Sequence, residues 1–341
     1  MKKIVLFGEI MLRLKSPAKE RLFQSPVLEA VFGGSEANVA VSLARLGKSA
    51  CFVTALPRNA IGDAAVSIMK SHNVEVDAIR KEGRMGLYFL EDGACMRPSK
   101  VIYDRASSAF SLASPEEYDW KTIFSDCSHF HISGVTPALS KTASDCAHAA
   151  ILEAHKAGAT VSLDLNYRKN LWKYGSEAKD VMRSLCKNTD VLIANEEDIQ
   201  KCLGIPLLDF DSPSDAYKDL CVRVKESFPH LQYIAVTLRE SRSADKNGWS
   251  AFLLGKTGFY ESRRYEIEDI VERVGAGDAF AAGLIFALEE FSAENGGEKR
   301  ALDFATAAGC LKHSISGDFN LVSRGEIEFL MNGNASGRIQ R

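Results

Sequence analysis

An excess of basic charge is missing from this chain: 42 Lys and Arg stand against 45 Asp and Glu, for a formal net charge of −3. With no basic stripe to neutralise phosphates, a nucleic-acid partner is excluded. No apolar run approaches the length of a membrane span, which argues against a membrane protein. Only residues 4–7 separate Met1-Lys2-Lys3 from Gly8 and Glu9, too few for a signal-peptide core. The eight cysteines (51, 95, 127, 146, 186, 202, 221 and 310) form no Cys-x-x-Cys pair. Scattered thiols of this kind suit small core positions in a reducing compartment, so the expectation is a cytoplasmic protein. Internal repeats and low-complexity tracts are also absent. What remains is a chain of 341 residues, 46% hydrophobic and 26% charged, long enough for one large core or two domains.

Along the chain, apolar runs alternate with amphipathic stretches. Strands are expected at 4–8, 50–55, 129–133, 160–165, 191–194 and 233–238. Helices are expected at 36–46 (stopped by Gly47), 64–72, 141–156 (followed by Gly158) and 215–226, the last with Ser214 as N-cap. Residues 249–254 and 259–262, joined through Gly255-Lys256-Thr257-Gly258, read as a hairpin. Continuous apolar strands between amphipathic helices imply a parallel sheet covered on both faces. Ligands of such sheets gather beyond the carboxyl ends of the strands. Chemistry is therefore to be sought at Asp164-Leu165-Asn166-Tyr167-Arg168, Asn195-Glu196-Glu197-Asp198 and Thr237-Leu238-Arg239-Glu240. Residues 11–32 and 84–110 break the alternation and carry strand-like patches at 86–90 and 100–103. Paired, they would form a small β-sheet lid (11–32 and 84–110) on a main domain made of 1–10, 33–83 and 111–341. The polar stretch 240–248 reads as a mobile loop. His129 and His131 share one strand face, and without a third ligand they read as a packed pair rather than a zinc site.

The richest stretch is Val274-Gly275-Ala276-Gly277-Asp278-Ala279-Phe280, followed by Leu284, Ile285 and Leu288 at helical spacing. A small-residue loop opening a helix presents unclaimed N–H groups and the helix dipole to one point, which makes an anion hole. Asp278 inside that hole suits a base beside a phosphate in transfer; the competing use is helix capping.

Gly33-Gly34-Ser35-Glu36-Ala37-Asn38, the run at Asn195 and the final Gly275-Ala276-Gly277-Asp278 together resemble the ribokinase-like (phosphofructokinase B type) sugar kinases, in order and over the whole chain. Several stretches are most similar to 2-keto-3-deoxygluconate kinases: Val101-Ile102-Tyr103-Asp104-Arg105, Asp164-Leu165-Asn166-Tyr167-Arg168, Val271-Glu272-Arg273-Val274, and Leu311 to Asn320. The resemblance implies a three-layer α/β/α sandwich with a small β-sheet lid. It also implies a kinase that uses ATP and Mg²⁺ to phosphorylate a sugar acid at its terminal hydroxyl. Two departures stand out. Arg273-Val274 replaces the usual Asp-Thr pair, which alters the place where many relatives bind a monovalent cation. In Asn195-Glu196-Glu197-Asp198 the last acid is one methylene shorter than usual.

On this resemblance Asp278 takes the sugar proton, while Gly275, Ala276 and Gly277 donate N–H groups to the transferring phosphate. Asn166, Asn195 and Thr237, with Gly275 and Gly277, contact ATP. Asp198 acts on Mg²⁺ through water, or is a helix-start acid. Gly34, Ser35 and Asn38 meet sugar hydroxyls, or cap and pack a helix. Arg105 and Arg168 are candidate partners for a substrate carboxylate, against the alternative of surface ion pairs. Tyr88 and Tyr103 contact substrate from the lid, or pack its interface. Asp318 is expected in a turn-forming role. A homodimer through the lid follows by family analogy. Other readings are a kinase for fructose or another neutral sugar, for the galactose-derived keto-acid epimer or for a nucleoside, and a catalytically silent sugar-binding protein.

Overall fold

The computed structural model describes residues 2–333; Met1 and 334–341, the ends of the segments 1–10 and 111–341, lie outside the described residues. In chain order the elements are β1 (Lys3–Phe7), β2 (Met11–Lys15), β3 (Glu29–Gly33), α1 (Ser35–Arg45), β4 (Ala50–Pro57), α2 (Ala60–Ser71), β5 (Glu75–Lys81), β6 (Leu87–Glu91) and β7 (Lys100–Asp104). There follow α3 (Trp120–Ile123), β8 (Cys127–Ser133), α4 (Lys141–Lys156), β9 (Thr160–Asp164), α5 (Ala178–Cys186), β10 (Val191–Asn195), α6 (Glu196–Leu203) and α7 (Pro213–Ser227). The last are β11 (Tyr233–Ser241), β12 (Asn247–Leu254), β13 (Phe259–Glu261), β14 (Tyr265–Ile267), α8 (Ala276–Phe291), α9 (Gly297–Lys312) and α10 (Arg324–Met331).

The main sheet has ten strands in the order β13-β12-β11-β10-β9-β8-β1-β4-β5, with β14 also paired to β12. All pairings from β11 to β5 are parallel, whereas β12 runs antiparallel to β11. Strands buried on both faces need apolar residues at every position, as in the Ile-Val-Leu-Phe run of β1. Ile4 and Leu6 enter the core beneath α1, α8 and α9, while Val5 and Phe7 enter the core on the other face with α4. Each fully buried side chain of this size contributes about 1.5–3 kcal/mol. Helix α8 is buried nearly all round. At Gly283 a Cβ would meet Ala305 Cα at 3.0 Å and Ala308 Cβ at 3.1 Å, so small residues set how closely α8 and α9 pack. The three-layer sandwich and the separate small sheet read from the sequence are both present. The small sheet runs β3-β2-β6-β7, with β2 and β6 parallel. Among the described residues no helix is long and apolar enough to cross a membrane.

Local differences have local causes. Helix α2 starts four residues earlier than its periodicity suggests, because the Asn59 side chain accepts from the N–H groups of Ile61 and Gly62. The cap of α7 is Ser212, not Ser214: its Oγ accepts from the Asp215 N–H at 3.1 Å, and Pro213 suits the first helical position. The stretch 240–248 is not a free loop. Backbone pairing extends β11 and β12 through Glu240 opposite Gly248 and Ser241 opposite Asn247. Its turn is tied to the small sheet's 92–99 connection, with the Ala244 N–H donating to Cys95 O at 2.8 Å. His129 and His131 both bond Ser162 Oγ at 2.8 Å, and burial pushes their imidazoles down to about 4 and about 3.

Candidate active site

Strand β1 lies between β8 and β4: the chain winds outward through β4 and β5 on one side and from β8 to β11 on the other, so the strand order reverses beside β1 and opens a crevice at the carboxyl ends of the strands. A cavity of about 570 Å³ lies there. Every residue singled out from the sequence for the site lines it. Gly34, Ser35 and Asn38 come from the start of α1; Tyr88, Tyr103 and Arg105 come from the small sheet and the residue after it. Asn166 and Arg168 follow β9, Asn195 and Asp198 lie where β10 enters α6, and Thr237 sits on β11. Gly275, Ala276, Gly277 and Asp278 open α8.

Gly275 is the N-cap of α8 with φ +85°, and a Cβ there would fall 2.2 Å from the main-chain oxygen of Asp318. Both constraints demand glycine. The first α8 bond runs from the Ala279 N–H to Gly275 O at 2.8 Å, and the N–H groups of Gly275, Ala276 and Gly277 find no acceptor among the described residues. In front of them the space is open: a Cβ on Gly277 would meet nothing within 4 Å. Unclaimed donors, a helix dipole and an empty space at one point suit an anion.

Asp278 stands beside that space, held by α1. Its Oδ1 accepts from Ser35 Oγ at 2.8 Å and its Oδ2 from Asn38 Nδ2 at 2.7 Å. Asn166, at an unusual φ of +34°, donates through Nδ2 to Ser35 Oγ at 3.2 Å. Burial pushes the Asp278 carboxyl up to about 6; the bonds from Asn38 and Ser35 oppose that rise, and the charge of Asp318 adds to it. A carboxylate accepts more than two hydrogen bonds, so capacity remains for an incoming hydroxyl. Asn195 caps α6, accepting from the Asp198 N–H at 2.8 Å, and Asp198 in turn accepts from the Tyr167 N–H at 3.1 Å. Burial pushes Asp198 up to about 6 despite Arg168 nearby. Thr237 Oγ1 donates to Ala194 O at 3.4 Å.

The two arginines differ. Arg105 is buried against Glu9, with Nε and Nη2 at 2.8 and 2.5 Å from Oε2. Arg168 is exposed to the cleft, its Nη1 donating to Tyr167 O at 3.0 Å. Tyr103 packs beside Tyr88, and the Arg105 guanidinium lies 5.7 Å from its ring centre. Asp318 does not form the expected turn bond: Arg13 Nη1, at 2.5 Å, and the Tyr88 hydroxyl both donate to its carboxylate. A buried guanidinium is the stronger partner. At the first departure, Arg273 donates through Nε to Ala244 O at 3.0 Å and through Nη2 to Ser243 O.

Among the further lining residues for which sequence reasoning named no role are Glu9, Asp164, Arg239 and Arg273. Glu9 lines the cleft, and its Oε1 is buried beside Gly86 with no partner among the described residues. Asp164 is held well above the ordinary carboxylate range by burial, with Asp198 and Asp278 beside it. Glu9, Asp164 and Arg239 each lie at or beyond the carboxyl end of an apolar strand run, and that position was the available signal.

A family model described as pfkB family carbohydrate kinase matches residues 1–321. The chain is similar in structure to 2-dehydro-3-deoxygluconokinase from Thermotoga maritima: TM-score 0.92 and 46% identity, covering 98% of this chain and 100% of that one. In sequence it is 34% identical to 2-dehydro-3-deoxygalactonokinase of Haloferax volcanii over 98% of both chains. It is 26% identical to 2-dehydro-3-deoxygluconokinase of Bacillus subtilis, over 93% of this chain and 91% of that protein.

Proposed function

This chain belongs to the pfkB family of carbohydrate kinases, and we propose that its substrate is 2-keto-3-deoxygluconate, phosphorylated at the C6 hydroxyl to 2-keto-3-deoxy-6-phosphogluconate with ATP and Mg²⁺. The observation that carries the reading is the placement of buried Asp278 beside the unclaimed N–H groups of Gly275, Ala276 and Gly277. Phosphoryl transfer has a loose transition state, so catalysis consists of aligning oxygens and offsetting charge. Asp278 takes the hydroxyl proton, and Ser35 and Asn38 fix the direction from which it does so. The anion loop receives the transferring phosphoryl group, and Asn166, Asn195 and Thr237 line the nucleotide side.

The fit to Mg²⁺ is partial. No group of three or more acidic, His or Cys side chains that could hold a metal ion occurs among the described residues. Asp198 would therefore act through water, with phosphate oxygens supplying the other ligands. When bound, the ion offsets phosphate charge.

The acid end of the sugar is assigned to Arg168 and Arg105. Because Glu9 already pairs with Arg105, Arg168 is the freer cation, and Glu9 Oε1 is left to accept a sugar hydroxyl. Tyr88 and Tyr103 bring the small sheet over the sugar as a lid that excludes water. The similarity to the Haloferax volcanii enzyme favours a second reading, in which the galactose-derived epimer is the substrate. ADP release measured with both keto acids, fructose, ribose and adenosine tests these readings. The expected outcome is the highest kcat/KM on a keto-deoxy sugar acid. A preference for fructose or a nucleoside overturns the substrate, and no turnover of any acceptor overturns the activity.

A further inference from the structure

A buried ionic cluster lies just behind the cleft, and the chemistry above leaves it unused. Arg13, on β2 of the small sheet, is 2% exposed and is not among the residues lining the cleft. Its guanidinium forks between two carboxylates, with Nη1 at 2.5 Å from Asp318 Oδ1 and Nη2 at 2.9 Å from Glu272 Oε2. A buried pair alone says little about function. What distinguishes this one is where its partners lead. Through Oε1, Glu272 accepts from the N–H groups of Arg273 at 3.1 Å and Val274 at 3.3 Å, the two residues before Gly275. Asp318 accepts from Tyr88 on β6, and its main-chain oxygen closes the space beside Gly275. Lys15, also on β2, bonds Asp92 at 2.7 Å and lies 4.0 Å from Glu272.

We propose that Arg13 is a positioning residue that locks the approach to the anion loop onto the small sheet, so that the loop and the sugar-facing tyrosine hold one arrangement together. This rests on the reading of the cleft as a phosphoryl-transfer site. Arg13 acts through Glu272 on the direction in which the N–H groups of residues 275–277 point, and through Asp318 on Tyr88. Neither substrate is within its reach, so its effect falls on the alignment of the transfer and not on ground-state binding.

The test combines Arg13→Met, Glu272→Gln and the double variant, with kinetics by ADP release and hydrogen exchange of the backbone amides. A misalignment of about 1 Å costs on the order of 100-fold, so kcat of Arg13→Met should fall roughly 10- to 100-fold with both KM values within about 3-fold of wild type. Exchange should quicken in peptides covering 270–279 and 86–92 and stay unchanged elsewhere. The double variant should be no worse than Arg13→Met, because the two residues act in one chain of contacts. A folded Arg13→Met with wild-type kcat, multiplicative losses in the double variant, or faster exchange across the whole protein overturns the proposal. If Arg13→Met does not fold, Arg13→Lys keeps the charge but cannot fork. It should show the same pattern more weakly, and wild-type behaviour of that variant is equally decisive against the proposal. Should the wild type phosphorylate no sugar, the kinase reading fails, while the exchange measurement still decides the coupling.

Discussion

Asp278 can serve as a base only while it is ionised, and its surroundings set where that happens. Burial raises its carboxyl to about 6, so it is protonated below that pH and able to accept a proton above it. We expect kcat to fall as pH drops through about 6, and Asp278→Asn to lose a further roughly 10²–10⁴ at neutral pH with nucleotide affinity little changed. Stability should move the other way. A carboxyl raised on folding binds its proton more tightly in the native state, so its ionisation costs stability as pH rises from the ordinary carboxylate range through about 6. Asp278→Asn should therefore melt no lower than wild type at pH 8, since Ser35 can turn its hydroxyl to accept from the new amide. Lost stability together with lost activity would mean a structural role. Arg105 calls for a ratio. Arg105→Ala leaves Glu9 buried without its partner, so some loss is expected on any sugar; a carboxylate contact predicts an extra roughly 10- to 150-fold loss in kcat/KM on keto acids over fructose. Equal losses would exclude that contact. Asp278 was legible because a small-residue run ahead of a helix has few other uses. Glu9 was not, because its position after a strand marks a place and not a role, and its partner lies 96 residues away.

At the scale of the element, the opening of α8 makes opposite demands at two glycines. Gly275 is fixed by its backbone, with φ +85° and the Asp318 oxygen where a Cβ would go, so Gly275→Ala should lower Tm as well as turnover. Gly277 has room, and its backbone needs no left-handed conformation. Its side of the loop is open, which suits the phosphoryl group proposed to sit there. Gly277→Val should thus keep a near-native melting curve and circular dichroism while losing about 10²–10³ in rate, the cost of one obstructed donor. Normal turnover by a folded Gly277→Val would reduce the run to a helix start. The sequence showed that this stretch opens a helix but could not rank the two glycines, because the atom that crowds Gly275 comes from Asp318, far along the chain. The same limit explains α2 and α7: their apolar periodicity was readable, while their starts were set by single capping side chains.

For the whole molecule, the outside of the small sheet is the surface that bears on assembly. Side chains alternate along each strand, and the cross-strand register sorts them. Met11, Arg13, Tyr88, Val101 and Tyr103 point toward the main domain or the cleft. On the other face Leu12 and Phe32 pack against the main core, and Leu14, Leu87, Phe89 and Ile102 continue outward, with Phe23 set against Phe89 at 6.3 Å between ring centres. In β2 this inverts the usual pattern, because Arg13 and Lys15 are buried while the leucines stay partly open. Ile102 is 43% exposed and Phe23 72% exposed, so the outer part of this face stands in water. Contiguous apolar surface of this kind marks an interaction site. We infer that a second copy covers it, face on face, a closed arrangement that a twofold axis permits. Sedimentation of the wild type should give twice the chain mass at micromolar concentration. Ile102→Glu should sediment as a monomer and raise KM for the sugar more than for the nucleotide, because the neighbouring Tyr103 and Arg105 line the cleft and are proposed to face the sugar. A wild type that sediments as a monomer would sink the idea. A dimer unaffected by Ile102→Glu would move the interface to another surface and leave the assignment of Asp278 and the anion loop standing.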